Sequence, residues 1–403
     1  MIIVGFFTSS AAFSSFMGNA VISNTGKISL FEITAKSGSP VDIQAAVNSM
    51  QAAGGGIVHV PAGTYNWNNE TVHIPGGVNI IGAGAGCSGH PDFTESIAET
   101  ILRNSQWSTM FVVDGSNGKT TRISGIRFEF AESVNASSEA GVAIWLDGCM
   151  DYRVDHCTII NAGQIAIFAD DTHYGKCRGV IDHCVVDNPY KDTIGGIWAY
   201  GFYVRGLTQY YWDDATKFFG KYETVPTGFC VMYIEDCHLS RCRHSFDAIQ
   251  GGWYVARYNL IDNPRPTNYG MINIHGTSGW TSGRGFEAYN NTIVGASGHY
   301  GNSAIWQRGG CSIVFNNTFT NDFNSQYNIF IALSNDDTAN QLPNTHVNNT
   351  YIWNNQIAGG TLFENTGGYV ENVNYFLRAP SLTQDGFTYT PYVYPHPLVS
   401  ATP

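Results

Sequence analysis

One phrase recurs along this 403-residue chain and decides what it can become. It reads Val154-Asp155-His156-Cys157-Thr158-Ile159, then Ile181-Asp182-His183-Cys184-Val185-Val186, then Ile234-Glu235-Asp236-Cys237-His238-Leu239. It continues as Ala256-Arg257-Tyr258-Asn259-Leu260-Ile261, Ala288-Tyr289-Asn290-Asn291-Thr292-Ile293, Val314-Phe315-Asn316-Asn317-Thr318-Phe319 and Ile352-Trp353-Asn354-Asn355-Gln356-Ile357. The Cys or Asn anchors are spaced by 27, 53, 22, 32, 26 and 38 residues, and an earlier phrase, Ile123 to Phe128, adds a step of 31. Alternation with period two inside each phrase opposes helical repeats and predicts a stacked β solenoid. Residues one coil apart then become neighbours at about 4.8 Å. The step of 53 is two coils or one coil with a large insertion. At a bend between strands, Asn side chains stack as a hydrogen-bonded ladder. Cys fits the same buried space.

The repeat runs over most of the chain, so one elongated domain is expected rather than two compact ones. Only 13% of residues are charged and 45 are Gly, which suits many tight turns. A net charge of −12 argues against a nucleic-acid partner; a polyanionic ligand needs a local basic cleft. The nine Cys are odd in number and five of them, Cys157, Cys184, Cys237, Cys177 and Cys230, fall in repeat columns, so free interior thiols are expected, and no CxxC marks a zinc site. Met1 to Ala20 is apolar and Ser-rich without Lys or Arg. Ser, Thr and Gly break it up, so no transmembrane span is expected. Segment 1–37 reads as an export or surface-display element, or as a packed strand able to insert into a second copy, giving self-association.

Asp42 to Gln51 places Ile43, Ala46, Val47 and Met50 on one helical face, after Pro40 and before Gly54-Gly55-Gly56. The strand-like Ile57-Val58-His59-Val60-Pro61-Ala62-Gly63-Thr64-Tyr65 follows. This amphipathic helix with GGG-x-V-x-x-P-x-G-x-Y resembles the N-terminal cap and first coil of the pectate-lyase-like right-handed parallel β-helix superfamily. The resemblance implies an all-β solenoid over residues 38–375, its open end covered by a short helix. It implies fold more than reaction, because the fold carries lyases, hydrolases, tailspikes and adhesins. Residues 189–229 hold 12 aromatics in 41 positions and read as an insertion, either self-packed or offering stacking faces such as Tyr211 and Trp212 to sugars. The Pro-rich tail, 376–403, is expected to lie extended along the solenoid, with His396 structural.

Reactive side chains concentrate between residues 241 and 308. Six of the seven Arg that follow Lys221 fall there, and no Lys does. Arg suits a two-pronged grip on carboxylate, so this stretch is the candidate acidic-sugar site. Ladder arithmetic sets His244 and His275 near one column on adjacent coils, and Arg284 near Arg308. The candidate catalytic residues are Arg243, His244, His275, Arg284 and Arg308. The candidate substrate-binding residues are Arg257, Asp247, Glu287, Trp306, Tyr211 and Trp212. The competing structural reading pairs Arg257 with Asp262 or Glu287.

The R-H-x-x-D and H-G-T phrases, followed by R-x-x-E, look like those of secreted β-helix proteins grouped with polysaccharide lyases. That resemblance implies an acidic polysaccharide as partner, Ca²⁺ as a candidate cofactor, and a secreted or cell-surface location. Three functions compete. A lyase would cleave a uronic-acid polymer by β-elimination, with Arg neutralising the carboxylate and His taking the C5 proton. A glycoside hydrolase would need two facing carboxyl groups, such as Asp247 with Glu287 or Asp170 with Asp171. A non-catalytic surface, tailspike or filament protein would use the stiff solenoid alone.

Overall fold

The computed structural model describes residues 31–86, 98–106, 108–131, 141–189, 199–206, 217–222, 230–262, 270–276, 282–295, 303–320, 329–334, 346–358 and 361–400. They wind into three parallel sheets, A with twelve strands and B and C with ten each. One coil shows the plan. Met150–Asp155 lies in sheet A, Thr158–Ile160 in B and Ile165–Asp170 in C, before Cys177–Asp182 returns to A. Among the described residues every pairing between named strands is parallel, as in Val154 beside Ile181 and Thr158 beside Val185. Inward positions of all three sheets form one continuous apolar core from Ala35 to Ile352.

The recurring phrase is the A-to-B turn. The residue before each anchor is left-handed: φ is 49° at His156, 51° at His183, 58° at Tyr258, 57° at Asn290 and 54° at Asn316. This costs an ordinary residue energy, and the anchor beneath compensates. Asn259 Nδ2 donates to Asn291 Oδ1 at 3.0 Å, Asn291 to Asn317 at 2.9 Å, and Asn317 to Asn355 at 2.9 Å. Each Oδ1 also accepts the backbone N–H of the anchor before it. Cys184 and Cys237 continue the column, and all eight described cysteines are free and buried.

The helix Pro40–Ala52 caps the N-terminal end and buries Ile43, Ala46, Val47 and Met50, the expected face. Ser39 accepts from the Asp42 N–H as its N-cap. Glu32–Thr34 already pairs with Ile57 to His59, so the solenoid begins before residue 38; residues 1–30, with the self-association reading, lie outside the described residues. The 53-residue step is one coil, since Cys177–Asp182 pairs directly with Cys230–Glu235. Within the expected insertion, Tyr200–Arg205 is a regular strand of sheet C. Phe218, Phe219 and Tyr222 instead pack on the outside of sheet A. Among the described residues, no helix is long and apolar enough to cross a membrane.

The tail runs over sheet A. Arg257 donates to the carbonyls of Tyr392 at 2.6 Å and Val393 at 2.8 Å, and Arg153 to that of Val399 at 2.8 Å. Its rings Phe387, Tyr389 and Tyr392 cover an aromatic outer face that includes Tyr233, Trp253 and Tyr289. His396 is buried in this contact and its N–H donates to Glu235.

Candidate active site

Sheet C builds the site. Phe246 and Ala248 of the strand His244–Ile249 point into the core, which turns Asp247 outward. Register places Tyr203 beside Asp247 on one coil. Phe246 lies opposite Ile272, which brings Asn273 beside Asp247 on the other side, and Trp306 follows Asn273. The outward column therefore reads Tyr203, Asp247, Asn273, Trp306. Asn273 Nδ2 donates to Asp247 Oδ1 at 2.6 Å. His275 Nε2 lies 3.4 Å from Asp247 Oδ2.

His244 sits at the start of its strand with its ring stacked on Tyr200, centroids 5.3 Å apart. Its Nδ1 lies 2.6 Å from the Gly270 carbonyl. A carbonyl only accepts, so Nδ1 carries the hydrogen and Nε2 is left with the lone pair. Gly270 is required here: φ is +127°, and a Cβ would come within 2.5 Å of Trp306 Cβ. The His244 and His275 rings stand edge to face, 6.4 Å apart.

Burial sets the charge states. It drives His244 and His275 well below the usual imidazole range, and the guanidinium groups of Arg308 and Arg243 push both the same way. Both are neutral at pH 7. Burial lifts Asp247 to about 7, against the pull of Arg308, the Asn273 hydrogen bond and Arg243. Tyr203 is held protonated, first by burial and then by Asp247. Arg308 lies over the Trp306 ring at 4.3 Å. Arg243 and Arg308 are partly exposed, and His275 keeps 22% of its side chain exposed.

Of the residues chosen from the sequence, the fold thus brings together Arg243, His244, Asp247, His275, Trp306 and Arg308. It separates three others. Arg257 lies on sheet A, wholly buried, ion-paired with Glu235 at 2.7 Å and capped by tail carbonyls. Glu287, also on sheet A, accepts from Tyr389 Oη at 2.6 Å and the Gly220 N–H at 2.7 Å. Both assignments to substrate binding are corrected: these side chains anchor the tail. Arg284 precedes the sheet A strand Gly285–Tyr289, and its guanidinium lies over Phe218 at 5.4 Å. Tyr211 and Trp212 fall outside the described residues. His244 and His275 lie on adjacent coils with their rings 6.4 Å apart, His244 against the Gly270 carbonyl. Tyr203 and Asn273 were missed as site residues, although both lie on outward positions two-residue alternation would mark.

The cluster does not fit Ca²⁺, which takes six to eight oxygen ligands. Asp247 is its carboxylate, shared with Asn273 and opposed by two guanidinium groups. Asp147, Asp170 and His173 do gather donor atoms within 4.8 Å on the same sheet. There Arg205 already grips Asp170 through two hydrogen bonds, and His173 holds Asp147 at 2.8 Å.

No family model matches the sequence, and neither does any curated protein. Solved structures do. The A-module of the Azotobacter vinelandii mannuronan C-5 epimerase AlgE6 is similar over 83% of this chain and 88% of its own, at 13% identity and a TM-score of 0.53. The alginate lyase of Paenibacillus sp. str. FPU-7 matches 83% of this chain and 98% of its own, at 12% identity and a TM-score of 0.49. An exopolygalacturonase of Thermotoga maritima matches 83% and 82%, at 13% identity and 0.44. At such identities the likeness is one of fold. The chain is a right-handed parallel β-helix.

Proposed function

We propose that this protein is a polysaccharide lyase that cleaves a uronic-acid polymer by β-elimination on the outer face of sheet C. One observation carries the reading: two neutral histidines, a protonated tyrosine and two partly exposed arginines converge around Asp247. Arg243 and Arg308 would hold the uronate carboxylate and acidify the proton at C5. Neutral His275, the more exposed imidazole, takes that proton. The electron pair forms the C4–C5 double bond, the C4–O4 bond breaks, and O4 receives a proton from Tyr203. The AlgE6 name specifies mannuronan and carbon 5, which supports a uronan and chemistry at that carbon. Uronic-acid polysaccharides are met outside the cell, which supports a secreted or surface protein.

The hydrolase reading loses its first carboxyl pair, because Asp247 faces out from sheet C and Glu287 lies under the tail on sheet A. In its second pair Asp170 is engaged by Arg205. The test is the near-ultraviolet absorbance of an unsaturated product, measured with alginate, polygalacturonate and glucuronans. New reducing ends without that absorbance would favour hydrolysis, and neither signal would favour the non-catalytic reading.

A further inference from the structure

Two acceptor oxygens on neighbouring rungs of the site have no donor. Asn273 directs its Nδ2 at Asp247 Oδ1, and Asp247 in its ionised form only accepts. This leaves Asn273 Oδ1 and Asp247 Oδ2 without a hydrogen-bond partner. Both side chains are fully buried. The 3.4 Å from Asp247 Oδ2 to His275 Nε2 is beyond hydrogen-bond reach. A buried acceptor without a donor is rare and costly, and two side by side in a reactive cluster point to a ligand that supplies hydrogens.

The surroundings define that ligand. Arg243 and Arg308 act electrostatically on Asp247, so an ammonium donor, as in an amino sugar, would be repelled. A neutral hydroxyl would not. We propose that Asp247 Oδ2 and Asn273 Oδ1 accept hydrogen bonds from ring hydroxyls of the bound uronosyl residue, so that the site selects sugars whose ring hydroxyls are free. The inference rests on the uronosyl-binding part of the proposed function. It makes Asn273 a specificity residue: its amide both fixes Asp247 and reads the sugar. Uronans esterified at those hydroxyls carry no hydrogen to donate and are excluded.

The test uses uronic-acid trimers, from galacturonan and from mannuronan, each with one ring hydroxyl of the central sugar replaced by fluorine. Fluorine is close to hydroxyl in size and cannot donate. Rapid-mixing tryptophan fluorescence reads binding before turnover, since Trp306 is the rung neighbour of Asn273. At one ring position the replacement should weaken binding by about 100-fold. Asn273→Leu should weaken the parent trimer to a similar level and make parent and fluorinated trimers bind alike. The proposal is overturned if every fluorinated trimer binds the wild-type protein as the parent does, or if no trimer binds. The wild-type series stands without the variant, should that misfold. Fluorine-sensitive binding without any unsaturated product would sink the lyase reading while leaving the hydroxyl subsite in place.

Discussion

Asp247 Oδ2 and His275 Nε2 face each other at 3.4 Å across adjacent coils, and burial moves the two groups in opposite directions. The carboxyl is raised to about 7 while the imidazole falls well below its ordinary range. At neutral pH the pair is therefore a neutral base beside a carboxyl that is just ionising.

That arrangement fixes a pH profile. His275 is already deprotonated when Asp247 begins to ionise, and the new negative charge raises its basicity. On the proposed substrate, kcat/KM should climb as pH passes through about 7. Asp247→Asn should flatten this limb. A variant that keeps the limb would show that another group sets it.

Removing the base should cost more than removing affinity. His275→Ala should lower kcat by about 10²–10⁴ with little change in KM. A rise in KM alone would reassign His275 to binding.

Arg308 lowers His244, His275 and Asp247 together. In Arg308→Ala the Asp247-dependent limb should shift to higher pH, and KM for the uronan should rise. Arg308→Lys should restore the limb, because the charge returns, but not KM, because a point charge lacks the planar two-pronged grip. Full recovery of both by Lys would remove the case for a bidentate carboxylate contact.

The tail contact has its own pH dependence. Burial raises Glu287 from 4.5 to about 7, against the Tyr389 and Gly220 hydrogen bonds. The folded state thus holds a proton that the unfolded chain has released, and stability falls as pH rises between about 4.5 and about 7. Glu287→Gln removes this loss. Its stability relative to wild type should improve by about 3 kcal/mol across that window, measured by chemical denaturation. An unchanged difference would mean Glu287 is not buried as described.

Much of this was legible in the sequence. Ile43, Ala46, Val47 and Met50 announce the cap, and the Asn259–Asn291–Asn317–Asn355 ladder announces the stacking. Both are local patterns, repeated or periodic, that the backbone must follow. The faces of the solenoid were harder to separate. Arg257 and Arg308 look alike in sequence, yet Arg257 is capped by carbonyls from 135 and 136 residues away. No repeat phrase encodes which sheet the tail will cover. Arg284 precedes a sheet A strand while Arg308 follows the sheet C strand Ile305–Gln307, so the turn from sheet C to sheet A assigns them to different sheets. Loop length hides the point at which a side chain changes face.

The account's central claim is proton removal at C5 followed by elimination at the sheet C cluster. It is tested most directly by near-ultraviolet absorbance during incubation with uronic-acid polymers, wild type against His275→Ala. The account predicts a steady rise with the wild-type protein that is nearly abolished in the variant. A flat trace on every uronan, or a rise that His275→Ala leaves intact, would contradict it.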